Sequence, residues 1–258
     1  MHPAGGAAAV LPPLAVDIDG TLTDDRRALD ERMLPALREW AAEAPVIVAT
    51  GKALPYPIAL CEFLATPIRV IAENGGAVYI EPGPAPRADG SSGDAENGHG
   101  GEGELRFTGD RQAAADVARE YEAEGYDVGW GPADFVNRWR ETEFAVAHDS
   151  PLGPLERIAA DHGMDVVDTG FAYHVKSPEV DKGRGLRAAA EALDLSPTEF
   201  AAVGDSENDA ELLALAGRSF AVANADDAAR TAADTVCESA YADGFLEAVA
   251  AVRDEFAD

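Results

Sequence analysis

The sequence predicts an α/β fold in which a parallel sheet carries helices on both faces. Short apolar segments that end in Gly, Asp or Asn alternate with alanine-rich segments of helical periodicity. The apolar segments are typical of strands buried on both faces: PLAVDID, APVIVATG, IRVIAENG, EFAAVGDS and RSFAVAN. Two segments between them are typical of amphipathic helices: RRALDERMLPALREWAAEA and DAELLALAG. In sheets of this kind, ligands bind beyond the carboxyl ends of the strands.

The middle of the chain has a different pattern, which predicts an inserted domain at residues 82–175. Its first part, 82–104, is rich in Gly, Pro and acidic residues without periodicity, which predicts a mobile loop. The rest contains two helical segments, DRQAAADVAREYEAEG and LGPLERIAADHG, and two extended ones, RETEFAVAH and FAYHVKS. We therefore expect a core formed by residues 1–81 and 176–258, interrupted by a small α+β domain.

The composition excludes several classes of partner. The chain has 48 acidic and 20 basic residues and a formal net charge of −28, which repels nucleic acids and anionic membranes. Only three of the 20 basic residues are lysines, and acidic excess with scarce lysine resembles the composition of proteins from extreme halophiles. Cys61 and Cys237 lie far apart, and no segment approaches the ~20 apolar residues of a membrane span. We expect a cytoplasmic protein, a monomer or homodimer.

Polar residues collect where four segments end at the predicted ligand-binding edge of the sheet. These are Asp17, Asp19 and Thr21 in DIDGT, Thr50 and Gly51 in ATG, Lys182 in EVDKGRGL, and Asp205 and Asp209 in VGDSENDAELL. Each alone has an ordinary structural explanation, such as a turn, a helix cap or, for Lys182 just before a predicted helix, a solvated side chain. Together, an acidic cluster without His or Cys suits Mg²⁺, and a hydroxyl with an ammonium suits a phosphoryl group. The combination indicates phosphoryl transfer through an aspartyl phosphate.

These four segments resemble the four motifs of the haloacid dehalogenase superfamily. The resemblance covers roughly residues 11–81 and 176–252 and implies a Rossmann-like core with a cap domain inserted between the second and third motifs. AENGG, which contains Glu73–Gly76, resembles a signature of members with such a cap. The small cap and the phrase NRWRETEFAV are most similar to archaeal-type phosphoglycolate phosphatases, which implies 2-phosphoglycolate as the substrate. Lys52 departs from the pattern, since a neutral residue is expected there.

The resemblance also implies roles for the two aspartates of the first motif. Asp17 would attack phosphorus and become phosphorylated. Asp19 would protonate the departing alkoxide and then take a proton from the water that hydrolyses the intermediate.

The remaining motif residues would hold the metal and the phosphoryl group. The resemblance implies that Mg²⁺ is bound by the carboxylates of Asp17 and Asp205 and the main-chain carbonyl of Asp19, with Asp209 in support. Thr50, Gly51 and Lys182 would bind the phosphoryl group, and Asn208 would order the fourth motif.

Other functions stay open at this stage. A sugar phosphate or phosphoglycerate derivative is an alternative substrate, because the cap sets specificity. Arg138, Arg140 and Lys176 could reach a substrate carboxylate, although surface salt bridges explain them equally well. A non-catalytic module that binds Mg²⁺ and phosphate is a second alternative. A sugar mutase of the superfamily is disfavoured, since its cap follows the first motif.

Overall fold

The computed structural model describes residues 10–83 and 103–256, which divide into two compact units. The first unit combines the chain up to Ile47 with the chain from Pro197 onward, and the second contains Val48–Ser196. The predicted boundaries of the core and the inserted domain, at residues 81 and 175, stay a prediction.

The first unit is built on four parallel strands in the order β11-β10-β9-β1. Its strands are β1 (Leu14–Asp17), β9 (Ala201–Gly204), β10 (Arg218–Ala221) and β11 (Thr235–Val236). Its helices are α1 (Met33–Glu43), α6 (Ala210–Leu215), α7 (Asp227–Ala232) and α8 (Tyr241–Phe256). All residues of β1 and β9 are buried, and α6 packs on β9 and β10.

The second unit contains two groups of strands. In the first group, Val48 and Ala49, the last two residues of β2 (Val46–Ala49), pair parallel with β3 (Arg69–Ala72). The strands β4 (Ala77–Ile80) and β5 (Glu104–Phe107) follow in antiparallel order. The second is an antiparallel sheet in the order β6-β8-β7, from Phe144–Val146, Tyr173–Lys176 and Asp165–Asp168. Its helices are α2 (Pro55–Leu64), α3 (Arg111–Ala123), α4 (Leu152–Asp161) and α5 (Lys182–Ala192).

The five predicted strands form β1, β2, β3, β9 and β10, so the predicted α/β class with a mostly parallel sheet is confirmed. The predicted α+β segment also folds around apolar side chains of its own. Asp110 caps α3 by accepting hydrogen bonds from the main-chain N–H groups of Gln112 and Ala113. Val117 and Tyr121, four residues apart on α3, pack with Leu155 of α4 in a buried cluster.

Three local predictions are corrected. The first predicted helix begins at Met33 rather than at Arg26, because Arg27 has a left-handed φ of 63° that a helix excludes. Lys182 is the first residue of α5 rather than the residue before it, since Asp181 caps the helix. Glu104 belongs to β5 instead of the predicted loop, and residues 84–102 of that loop lie outside the described residues.

Within residues 10–83 and 103–256, every helix is too short or too polar to cross a bilayer.

Candidate active site

Three of the predicted acidic residues lie together in the first unit. A carboxylate oxygen from each of Asp17, Asp205 and Asp209 lies within 4.8 Å of the other two. Asp17 is the last residue of β1, and Asp205 directly follows β9, its parallel neighbour. Because parallel neighbours end at the same edge of a sheet, two side chains distant in sequence meet here.

The chemistry of this cluster fits a divalent cation. Asp17 is 4% exposed and Asp209 is fully buried. Like charges this close raise the free energy of the ionised state, and a cation among them removes that cost. Three oxygen ligands without nitrogen or sulfur suit a hard ion. The cluster is therefore a candidate metal site.

Asp19 lies outside this carboxylate cluster. It is half-buried in the turn that follows β1, two residues beyond Asp17. Its predicted contact with the metal runs through its main-chain carbonyl, and its predicted proton transfers use the side chain. Both roles stay predictions.

Asp209 also shapes the loop that carries Asp205. Its Oδ2 accepts hydrogen bonds from the main-chain N–H of Asp205 at 3.1 Å and of Ser206 at 3.2 Å. Ser206 Oγ donates to Asn208 Oδ1 at 2.9 Å. Ser206 and Asp209 together form a capping box at the start of a short 3-10 turn. Asp209 therefore has a structural role in this loop beside its place in the cluster.

Gly20 allows the first motif to approach Asp205 closely. A Cβ built on Gly20 would lie 2.0 Å from Asp205 Oδ2, and the residue has a φ of +82°. Any other residue would clash with this carboxylate and would also be strained. The glycine of DIDGT is therefore required by contact as well as by turn geometry.

The predicted phosphoryl-binding residues lie in the second unit. Thr50 is fully buried directly after β2, and its carbonyl accepts a hydrogen bond from Asn74 N at 3.2 Å. A Cβ built on Gly51 would lie 2.8 Å from Asn74 Oδ1. The ATG segment and the ENG segment are therefore packed against each other.

Lys182 lies close to the ENG segment, because Gly75 packs against the residue that precedes it. A Cβ built on Gly75, whose φ is +101°, would lie 1.9 Å from the carbonyl oxygen of Asp181. Lys182 itself is 1% exposed, and burying an ammonium group is costly unless it meets an anion. The structure thus brings together Thr50, the ENG turn and the start of α5.

A buried ionic network at Glu143, which sequence reasoning missed, supports this loop. Glu143 pairs with Arg140, accepts a hydrogen bond from Asn74 Nδ2 at 3.0 Å and contacts His174 Nδ1 at 3.3 Å. Arg140 in turn donates to the carbonyl oxygen of Gly51 at 3.0 Å. The side chain of Arg140 is only 6% exposed, so it acts inside the protein rather than as a surface salt bridge.

The surroundings of Glu143 keep it ionised. Burial by itself would raise its pKa, but the charges of Arg140 and His174 and the hydrogen bonds from His174 and Asn74 lower the pKa to about 2. The sequence contains one indication of this pair, since Arg140 and Glu143 are three residues apart in the phrase NRWRETEF.

Glu73 is also buried, but its pKa is raised rather than lowered. Burial raises its pKa, against hydrogen bonds from the hydroxyl and N–H of Thr142 and the N–H of Glu141. The two Thr142 bonds are both 2.7 Å long. Glu73 thus ties the ENG turn to the segment that contains Arg140 and Glu143.

The described contacts define two groups of predicted site residues. Asp17, Asp205 and Asp209 form one in the first unit, and Thr50, Gly51 and Lys182 belong to the other in the second. Their action on one phosphoryl group stays a prediction.

Comparison with known proteins agrees with these motifs. A family model described as haloacid dehalogenase-like hydrolase matches residues 14–84 and 157–249. The chain is 56% identical to a protein of Natronomonas pharaonis named phosphoglycolate phosphatase, over 95% of this chain and 99% of that protein. It is 54% identical to a Haloarcula marismortui protein of the same name, over 94% and 98%.

The comparison with solved structures shows a shared fold. A crystal structure of a Thermoplasma acidophilum protein matches with a TM-score of 0.72 and 22% identity, over 96% of this chain and 99% of that chain. A haloacid dehalogenase-like hydrolase from Bacteroides thetaiotaomicron matches with a TM-score of 0.70 and 17% identity, over 93% and 99%. The family model, which matches more than half of the chain, and the two relatives show that this chain belongs to the haloacid dehalogenase-like hydrolase family.

Proposed function

We propose that the protein is a Mg²⁺-dependent phosphomonoester hydrolase that converts 2-phosphoglycolate to glycolate and phosphate. The observation that carries the proposal is the group formed by Asp17, Asp205 and Asp209, whose oxygens lie within 4.8 Å of one another at the end of the sheet. The substrate is supported by the relatives named phosphoglycolate phosphatase at 54–56% identity.

In this proposal, Asp17, Asp205 and the main-chain carbonyl of Asp19 hold Mg²⁺, with Asp209 in support. When bound, the ion neutralises charge on the phosphoryl oxygens and the nucleophile. Thr50 and the N–H of Gly51 donate hydrogen bonds to the phosphoryl group, Lys182 supplies a positive charge, and Asn208 keeps the loop before α6 in place.

The chemistry then takes place in two steps on Asp17. Its carboxylate oxygen attacks phosphorus, the bond from phosphorus to the leaving oxygen breaks, and Asp19 protonates that oxygen. In the second step, Asp19 takes a proton from water as the water oxygen attacks phosphorus, and the bond to Asp17 breaks to release phosphate. Each proton transfer contributes about 10²–10⁴-fold to the rate.

The function is tested by phosphate release from a panel of phosphomonoesters, with Mg²⁺ at molar KCl. The panel contains 2-phosphoglycolate, 3-phosphoglycerate, glucose 6-phosphate and p-nitrophenyl phosphate. We expect 2-phosphoglycolate to have the highest kcat/KM. A clear preference for glucose 6-phosphate would replace the substrate and leave the mechanism, whereas no release from any ester would reject the enzyme.

The division of labour between the two aspartates is tested by trapping. Asp19→Asn should form the aspartyl phosphate from p-nitrophenyl phosphate, whose leaving group needs little protonation, and hydrolyse it slowly. Rapid-quench mass spectrometry should show one phosphate on the peptide that contains Asp17, and none in Asp17→Asn. Phosphate on another residue would reject Asp17 as the nucleophile.

A reducing compartment is the setting that we propose for the protein. Both cysteines are free thiols, and burial raises the pKa of each of them to about 11, for Cys61 and for Cys237 alike. Thiols of this kind are inert core residues, as is usual for cytoplasmic proteins.

A further inference from the structure

The loop between β10 and α7 supplies none of the predicted site residues, yet it contacts the main chain of two loops that do. Asn224 Nδ2 donates a hydrogen bond to the carbonyl oxygen of Gly20 at 2.9 Å. The N–H of Asp226 donates to the carbonyl oxygen of Asp205 at 2.9 Å. One short loop therefore contacts both the first and the fourth motif.

The side chain of Asn224 is fixed from its other end as well. Its Oδ1 accepts a hydrogen bond from the N–H of Tyr241 at 2.6 Å, where α8 begins. The amide therefore has a defined orientation, with its nitrogen toward Gly20 and its oxygen toward Tyr241. A carboxylate in its place would keep the second bond and put an oxygen opposite the carbonyl oxygen of Gly20.

The turn that Asn224 contacts has little room to move. Gly20 lies so close to Asp205 that a Cβ would come within 2.0 Å of Oδ2. The N–H of Gly20 also donates to Thr23 Oγ1 at 2.9 Å. The carbonyl that Asn224 contacts belongs to the Gly20–Thr21 peptide. Because Asp19 directly precedes Gly20 in the same turn, a movement of this peptide changes where the Asp19 carboxyl points.

We propose that Asn224 is a positioning residue that holds the Gly20–Thr21 peptide, and with it the turn that carries Asp19, so that the Asp19 carboxyl meets the leaving oxygen of the substrate. This inference rests on the proposed function, since it assigns Asn224 to the proton transfer by Asp19. Asn224 acts through the carbonyl of Gly20 and does not touch the substrate. Asp226 contributes separately, by holding Asp205 and by accepting a hydrogen bond from the N–H of Glu207 at 2.7 Å.

Two substrates that differ in their need for an acid test the proposal. The leaving group of 2-phosphoglycolate is an alkoxide that must be protonated, whereas the leaving group of p-nitrophenyl phosphate is a stable phenolate. In Asn224→Asp and Asn224→Ala, kcat/KM for 2-phosphoglycolate should fall about 100-fold, the cost of misplacing a catalytic group by roughly 1 Å. With p-nitrophenyl phosphate, the loss should stay within about threefold, because that substrate bypasses the step.

Ser219→Ala provides the matched control for lost stability. Ser219 lies in β10, which leads into this loop, and its hydroxyl bonds to Asp234 at 3.1 Å, away from the turn. This variant should lower the melting temperature without changing the ratio of the two kcat/KM values. An equal loss for both substrates in the Asn224 variants, or no loss in either, would overturn the proposal.

The design separates this inference from the proposed function. If the unmodified protein hydrolyses neither ester, the proposed function fails and the ratio has no meaning. If it hydrolyses another alkyl phosphate in preference to 2-phosphoglycolate, that ester replaces it in the ratio. A folded Asn224→Asp protein with an unchanged ratio then rejects Asn224 alone.

Discussion

Two regions of the protein hold carboxylates that are buried or half-buried, and they do so in different ways. In the first unit, Asp17, Asp205 and Asp209 bring negative oxygens within 4.8 Å of one another. In the second, Glu143 faces Arg140, His174 and Asn74, so that its charge is compensated inside the protein. The second arrangement has its counter-charges within the protein, whereas the first suits an added cation. The comparison shows why burial of an acidic residue does not by itself indicate catalysis.

Asp205→Asn should have the largest effect, with a large loss of activity and no loss of stability. The substitution removes a proposed metal ligand, and a bound ion contributes several kcal/mol to the transition state, so kcat/KM should fall about 1,000-fold or more. The melting temperature without Mg²⁺ should not fall, because repulsion from Asp17 and Asp209 decreases. Glu211→Gln serves as the control, because it removes an exposed negative charge in α6. This variant should keep full activity. A large loss of stability in Asp205→Asn would contradict the comparison.

The opposite result is expected for Glu143→Gln. The substitution leaves the Arg140 guanidinium buried without its anionic partner, which costs about 3–5 kcal/mol. Urea unfolding at fixed salt measures the change in the free energy of unfolding. Glu141→Gln is the matched control, since Glu141 forms a solvent-exposed pair with Arg111 worth about 0–1 kcal/mol. If both variants lose the same small amount, Glu143 is not a structural anchor.

Adding Mg²⁺ should stabilise the protein through the first region alone. A ligand at 100 times its Kd stabilises the folded state by about 2.7 kcal/mol, which should raise the melting temperature of the unmodified protein. Asp205→Asn should lose most of this rise in melting temperature. Glu143→Gln should show the full rise, starting from a lower melting temperature without Mg²⁺. A shift of equal size in all three proteins would place the ion elsewhere.

The smallest expected effect concerns salt. At a net charge of −28, surface repulsion should be screened between 0.1 and 1 M KCl, as the Debye length falls from about 10 Å to about 3 Å. The melting temperatures of the unmodified protein and of Glu143→Gln should rise together by several degrees. Their difference should change by less than about 0.5 kcal/mol, because a buried pair is little screened. A melting temperature that is insensitive to salt would argue against adaptation to a saline environment.

The pH dependence of stability distinguishes the two buried glutamates. The pKa of Glu143 is lowered to about 2 in the folded protein, so its contribution is present above about 4.5 and is lost as the pH falls toward 2. Glu73 has a raised pKa, so its ionisation reduces stability as the pH rises above its ordinary value. Unfolding of dilute protein, followed by tryptophan fluorescence at a series of pH values, measures this effect. The difference in stability between the unmodified protein and Glu143→Gln should decrease as the pH falls below 4.5.

The motifs of the first region could be predicted from the sequence because each is local. Asp17 ends an apolar strand, and Asp205 follows another, so the rule that parallel strands end at one edge was enough to expect a meeting of the two. The helix start was missed at Arg27, where a left-handed φ interrupts the apparent periodicity. Such a turn depends on Asp24, whose Oδ1 accepts hydrogen bonds from the N–H groups of Arg26 and Ala28, and helical periodicity does not report it.

By itself, the sequence determined the α/β class, the strands that carry the motifs and the acidic residues that the structure groups together. These follow from hydrophobic periodicity and from strand ends, which act over a few residues. Only the tertiary structure decided that Glu143 meets Asn74 across 69 positions and that Asn224 meets Gly20 across 204 positions. Hydrogen bonds of this range depend on how whole elements pack, so these contacts become visible only when the chain is folded.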